Sequence, residues 1–374
     1  MTPARLALLA LAALLATGGA FWLSSQRQLD RAVGVGDPVL PQLRAAINDV
    51  AEVRLSRGDG GRVTLRRDAG GWIVVERAWP ADAGKVRKLL LDLSALAVVE
   101  EKTHDPARYP VLGVEDVDGP AATGTRIDVK TAKGAIQSLV LGKPSGGREG
   151  FVRAVGAAPS YLARPQVSAE GNPARWLDTS LLDIDATRVR AVTLTGPAAP
   201  ALPLQDERLP TALAGALDGL ALEDVRPRPL GAPGAVGGTS VEGPVRRARY
   251  TTWEGLVLEI AGREDGGRRW ISVDASFDPS AARERPAPSS DPAATGPAPL
   301  PAAGTAAPGA RPEGAAARTP AGDPRDEAKT IQRRTAGYEF EIPAYRYGAL
   351  FEASSPAAGA AAAASLRDGA PPSR

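Results

Sequence analysis

Glu52-Val53-Arg54-Leu55-Ser56-Arg57-Gly58-Asp59-Gly60-Gly61-Arg62-Val63-Thr64-Leu65-Arg66 is the stretch that decides the fold class. Val53 and Leu55 alternate with Glu52, Arg54 and Ser56, and Val63 and Leu65 alternate with Arg62, Thr64 and Arg66. A period of two sends one set of side chains to a buried face and the other to water, which is the pattern of a half-buried strand. Asp59-Gly60-Gly61 lies between the two runs and tolerates the backbone of a tight turn, so the pair reads as an antiparallel hairpin. A second turn at Asp68-Ala69-Gly70-Gly71 leads to Trp72-Ile73-Val74-Val75, and the three runs make a meander.

Outward from the meander the period changes. Pro80 and Asp82 are predicted to open a helix whose apolar stripe is Val86, Leu89, Leu90, Leu93 and Leu96, at spacings of three and four. Strands follow around Ile127 and Val129, Leu139 and Leu141, and Phe151 and Val152, the last two joined by a turn at Gly142-Lys143-Pro144-Ser145-Gly146-Gly147. The second half repeats this grammar. Val189 to Leu194 reads as a strand, Pro210 opens a helix with Leu213, Leu217 and Leu220, and strands recur at Arg247–Thr251, Leu256–Ile260, Trp270–Val273 and Tyr338–Ile342. Strand–strand–helix–strand order in both halves suggests an internal duplication. Tight turns with few helices point to α+β rather than a doubly wound parallel sheet.

The ends and one internal segment have other compositions. Leu6 to Leu23 is an uncharged run closed by Phe21-Trp22-Leu23, and at about 1.5 Å per residue it spans roughly 27 Å, near the thickness of a hydrocarbon core. Trp22 stands at the end of the run, where an amphipathic ring favours the interface. The competing reading is a cleaved signal peptide with Gly18-Gly19-Ala20 as its small-residue site, but the run continues past that point. Residues 278–326 are rich in Pro, Gly and Ala without periodicity, which predicts a disordered insertion, and residues 353–374 a disordered tail. The expected architecture is therefore α+β: an N-terminal transmembrane helix within residues 1–27, then two related, mostly antiparallel sheet domains with flanking helices. The first unit covers 45–168 and the second 180–352.

Composition excludes several function classes. With 45 basic and 43 acidic residues mixed along 374, there is no basic stripe of the kind that neutralises nucleic-acid phosphates. The absence of cysteine removes disulfides, thiolate nucleophiles and the usual structural zinc sites. The single histidine, His104, leaves no two-histidine metal motif.

The remaining motifs each have a plain structural reading. Gly142-Lys143 lacks the glycine five positions earlier and the following Ser or Thr of a phosphate-binding loop, so a hairpin turn is expected. Glu115-Asp116-Val117-Asp118-Gly119 has calcium-loop grammar but no closing glutamate near Ile127, which favours an acidic turn. His104 beside Asp105 has no nucleophile-elbow pattern to serve. Trp72, Trp176, Trp253 and Trp270 read as core or sheet-face residues. No catalytic, cofactor-binding or metal-ligating residue is assigned, and no cofactor is expected.

Several phrases taken together carry a resemblance. They are Asn48-Asp49-Val50-Ala51-Glu52-Val53, Gly70-Gly71-Trp72, Ala83-Gly84-Lys85-Val86-Arg87-Lys88-Leu89-Leu90 and Tyr109-Pro110-Val111-Leu112-Gly113-Val114-Glu115. Leu141-Gly142-Lys143, Arg175-Trp176-Leu177-Asp178, Leu181-Leu182-Asp183-Ile184 and Tyr338–Ile342 with Tyr345-Arg346-Tyr347 complete the set. Behind an N-terminal anchor this order resembles the bacterial family named only as domain of unknown function 4340, over residues 45–275 and 330–352. The resemblance implies an envelope protein found beside ABC-type transport systems of the gliding-motility kind, and it carries no catalytic residues. The expected function is a non-enzymatic accessory or binding component of a transport or envelope complex, held in the inner membrane by residues 6–23 with its soluble part in the periplasm or otherwise outside the cytoplasm. The alternatives are an envelope hydrolase using carboxylates such as Glu101, Glu115 and Asp183, which would need two of them some 5–10 Å apart, and a passive spacer.

Overall fold

The computed structural model describes residues 34–196, 199–205, 209–228, 245–283 and 322–352, and the chain divides at Asp178–Thr179 into two units. The expected anchor at 1–27 and tail at 353–374 lie outside the described residues, as does 284–321 of the expected insertion. Among the described residues no helix is long and apolar enough to cross a membrane.

Unit 1 contains α1 (Pro41–Ala46), β1 (Val50–Arg57), β2 (Arg62–Asp68), β3 (Gly71–Val74), β4 (Trp79–Pro80), α2 (Ala83–Ala95), β5 (Ala97–Thr103), α3 (Tyr109–Leu112), β6 (Thr125–Thr131), β7 (Gly134–Gly146), β8 (Glu149–Ala154) and β9 (Ser160–Arg164). The strands form one nine-stranded antiparallel sheet in the order β4-β3-β2-β1-β6-β7-β8-β9-β5. The opening hairpin has the register its alternation predicts. Val53 faces Leu65 and Val129, Leu55 faces Val63 and Ile127, and all six are buried. Burying an aliphatic side chain of this size contributes about 1.5–3 kcal/mol, so this row is a large part of what holds the sheet.

Helix α2 starts where Asp82 accepts the Lys85 N–H at 3.0 Å, and it buries Val86, Leu89, Leu90 and Leu93. Thirteen residues make a helix of roughly 20 Å. Nine strands at about 4.8 Å spacing would separate the two edges by roughly 38 Å if flat. Because α2 links β4 at one edge to β5 at the other, the sheet has to curl around the helix. Two expectations are corrected here. Pro80 ends β4 instead of opening the helix, and Gly142 to Gly146 continue β7, leaving only Gly147-Arg148 as the turn.

Unit 2 contains β10 (Ser180–Leu182), β11 (Val189–Gly196), β12 (Ala199–Gln205), α4 (Thr211–Ala214), β13 (Leu220–Ala221), β14 (Asp224–Pro227), β15 (Arg246–Thr252), β16 (Leu256–Asp265), β17 (Arg268–Phe277), α5 (Pro324–Thr335), β18 (Tyr338–Glu341) and α6 (Ala344–Phe351). Its main sheet runs β12-β11-β15-β16-β17-β18-β14, and β10 pairs separately with β13. This is the order β2-β1-β6-β7-β8-β9-β5 of unit 1, strand for strand and in the same chain sequence. The duplication suggested by the two halves of the sequence is thus present as a shared seven-strand topology. Unit 1 adds β3 and β4 at one edge, and unit 2 adds α5 between β17 and β18 and the β10–β13 pair.

The core of unit 2 is aromatic at one side. Tyr250 is fully buried and donates its hydroxyl to the Leu350 carbonyl at 3.1 Å, and burial pushes its phenol well above the ordinary value. A side chain at Gly262 would run into the rings of Tyr347 and Phe351, so this glycine lets α6 lie directly on β16. The helix expected after Pro210 stops at Ala214. A 3-10 turn, Gly215–Leu217, follows, and Gly219 at φ +55° redirects Leu220 into β13. The insertion expected over 278–326 is ordered at both ends, with a 3-10 turn at Pro279–Ala281 and α5 from Pro324.

Candidate functional site

In unit 1 the polar phrases that drew notice in the sequence hold one another. Arg153 on β8 lies opposite the core face and is 2% exposed. Its guanidinium donates to the carbonyls of Val114 at 2.7 Å and Ala157 at 3.1 Å and to Asp116 at 2.5 Å, and it stacks over the Tyr109 ring at 4.7 Å. Tyr109 in turn donates to the Ala158 carbonyl at 2.5 Å. The connection from β5 to β6, with α3 inside it, is therefore pinned against the sheet by one buried arginine.

The acidic run Glu115–Gly119 belongs to this pin. Asp116 serves Arg153, and Glu115 accepts the Thr123 N–H at 2.8 Å. Lys143 caps α3 by donating to Pro110 and Val111 carbonyls at 3.1 Å each, and Gly142 leaves room for the Leu112 carbonyl, so Gly142-Lys143 is a packing element. His104 pairs with exposed Glu101 at 2.5 Å, and Asp105 caps the Ala107 N–H. Glu101 and Glu115 thus have separate tasks, while Asp183 in unit 2 accepts the Gly219 N–H at 3.1 Å. Trp176 is buried with its indole on the Glu170 carbonyl, Trp72 and Trp253 are half-buried, and Trp270 is buried. Among the described residues no group of three or more potential ligands could hold a metal ion.

Unit 2 fills the outer face of its sheet with charge. Arg263 on β16 makes a two-pronged pair with Glu339 on β18 at 3.0 and 2.7 Å, with both residues under 9% exposed. That hydrogen bonding raises Arg263 above its ordinary value, so it stays charged despite burial. Arg226 reaches Glu339 at 3.2 Å and Asp265 at 2.8 Å and lies 3.8 Å over the Trp270 ring. Arg268 donates to Glu341 at 2.7 Å. Arginine forks suit such paired recognition because planar donors match carboxylate geometry.

Unit 2 also has a groove of about 460 Å³ between β10 with the chain that follows it, the turn at Asp218 and the first turns of α5. This volume lies within the range of small-ligand and side-chain pockets. Leu181, Leu182, Ile184 and Ile331 form its apolar lining. Asp183, Asp185, Asp218, Asp323, Asp326 and Glu327 surround it, with Arg188 as the one basic residue in the lining. Arg188 is held on Glu327 by two hydrogen bonds at 2.9 and 2.7 Å and approaches Glu254 at 3.6 Å, and these carboxylates raise it above its ordinary value. Its charge is therefore already matched. Asp323, Asp326 and Glu327 have a local reason to be acidic, since they stand at the N-terminus of α5, where Asp323 caps the Arg325 N–H at 2.8 Å. Asp183, Asp185 and Asp218 come from other elements and add to the same field. The sequence reading identified Asp183 but not the rest, although Asp323-Pro324 followed by Asp326-Glu327 has the form of a helix start.

These features define a duplicated, mostly antiparallel α+β protein whose polar residues are largely engaged in holding its own connections. Residues 72–227, from β3 to β14, match the family described as Domain of unknown function (DUF4340). No curated protein and no solved structure matches the chain.

Proposed function

We infer that the chain is a non-catalytic accessory module of an envelope transport complex, tethered to the inner membrane by residues 6–23 with both units outside the cytoplasm. The apolar run from Leu6 to Leu23 supports the tether. The observation that carries the reading is the way the polar residues of the family phrases are used. Lys143, Glu115 and Tyr109 all bond within unit 1, as does Asp116 next to them, so they build a rigid surface instead of facing a substrate. The groove in unit 2 suits recognition, because its lining combines aliphatic residues and carboxylates with Arg188 already held by Glu327 and with Thr330, whose hydroxyl donates to the Asp326 carbonyl at 2.8 Å.

Isolation of the tagged full chain from mild-detergent membrane extracts, with mass spectrometry of what comes with it, tests this. A permease and its ATPase enriched over an unrelated single-pass protein is the expected result. Recovery of lipid and abundant porins alone would sink the accessory reading.

A further inference from the structure

We propose that the groove of unit 2 binds a basic segment of a partner protein, with an aliphatic side chain set on the floor and lysine or arginine residues at the rim. This rests on the accessory reading above and names the kind of surface its partner presents.

Three observations carry it. The first is where the groove lies in the duplicated framework. The seven-strand order is common to both units, whereas β10, β13 and α5 are additions of unit 2, and β10 and α5 are walls of the groove. Binding sites are commonly grafted onto a shared framework in this way, by elements the framework does not need. The second is chemistry. The aliphatic part of the lining, taken as the floor, is Leu181, Leu182, Ile184 and Ile331, which favours a side chain with hydrocarbon to bury over a hydrated ion. The third is charge. The carboxylates outnumber Arg188, and that guanidinium is already held by Glu327. Helix capping accounts for the acids of α5 but not for Asp183 and Asp218, which point the same sign at the same space from β10's continuation and from the turn before β13. A field of one sign steers a partner of the other and selects against acidic ones.

A peptide is favoured over a small polyamine because the floor has nothing to offer a fully hydrated cation. It is favoured over a lipid headgroup because those that crowd membrane surfaces are anionic or zwitterionic.

The test uses the full chain in detergent micelles and a fluorescent peptide of alternating leucine and lysine, read by anisotropy. Two control peptides replace its lysines by glutamate or its leucines by serine, and spermidine serves as competitor. The groove predicts binding of the leucine–lysine peptide, weakened by salt, and no binding of either control. Asp183→Asn with Asp218→Asn keeps the side-chain shape and the acceptor for Gly219. It should weaken the peptide roughly five- to tenfold, with the thermal midpoint unchanged. Equal binding by wild type and variant, equal binding of the serine control, or full displacement by spermidine at matched charge would each overturn the proposal, the last assigning a small cation instead. The membrane isolation separates this inference from the reading it rests on. If the double variant still recovers the same complex undiminished, the groove is not the docking site while the accessory role stands. If the wild type recovers no complex, the accessory role falls whatever the peptide does.

Discussion

Units 1 and 2 run the same seven strands in the same order, yet they close the outer face of the sheet by different chemistry. Unit 1 lays the β5–β6 connection across part of it and fixes that connection with Arg153, whose partners are mostly backbone carbonyls. Its ion pairs on this face, Glu52 with Arg54, Arg66 and Lys130 and Arg126 with Asp128, are more open to water than the Arg263–Glu339 pair of unit 2. Unit 2 places side chains against side chains there, with Arg263, Arg226 and Arg268 on Glu339, Asp265 and Glu341. One framework thus accepts two ways of covering a sheet face while the inner rows stay apolar. The inner rows, Val53–Leu65–Val129 in unit 1 and Tyr250–Leu258–Ala275 in unit 2, are apolar in both.

The largest test of this contrast is Glu339→Gln. It removes one charge of a buried pair and leaves Arg263 only the half-exposed Asp265 carboxylate at 3.6 Å, which should cost about 3–5 kcal/mol. The loss should be read by faster amide hydrogen exchange in peptides from β17 while those from β8 are unchanged. Replacing both partners by apolar residues, Arg263→Met with Glu339→Leu, should restore most of the stability. If the double variant is as damaged as the single one, the network holds unit 2 by more than paired charge.

Arg153→Met should come next, at about 2–4 kcal/mol, since the Val114 and Ala157 carbonyls lose their charged donor while the hydrocarbon stem is kept. Exchange should quicken in β8 and in residues 104–124 and leave β17 alone. A loss spread evenly over both units would erase the contrast between them.

The smallest effect is a pH dependence confined to unit 2. The hydrogen bond from Arg226 holds the Asp265 carboxyl below its ordinary value. A carboxylate lowered in the folded state stabilises above its unfolded value of about 3.9, and that contribution is lost as pH falls through the lower folded value. Asp265→Asn should therefore lower the urea midpoint slightly at neutral pH, with the difference from wild type disappearing in strong acid. A difference that instead grows on acidification would contradict the assigned pairing.

What could be read from the residues follows from how local the signal is. The β1–β2 hairpin, α2 with its Asp82 cap and the strands β15 to β17 announce themselves through alternation or a helical stripe over a short window. Strand β5, Ala-Val-Val-Glu-Glu-Lys-Thr over 97–103, has no such pattern, because it is an edge strand whose acids point to water. Its partner β9 is buried on both faces and short, and β14 is shorter still. Helix α5 was hidden by its small buried set, Ala328 and Thr335, and by the Pro/Ala-rich composition just before it. The groove depends on α5, on β10 and on the glycine turn at 219, three elements distant in sequence, so only the fold could assemble it.

The final strand of each unit is slotted between two that were made earlier. In unit 1, β9 enters between β8 and β5, and Thr103 meets Ser160 across 57 residues of chain. In unit 2, β18 enters between β17 and β14, and Arg226 waits for Glu339 across 113. A ribosome that has released everything up to Gly322 has made β14 without any neighbour to pair it. The second unit thus cannot complete its seven-strand sheet until the chain has been made through Glu341, so its last edge forms only when two segments far apart in sequence meet.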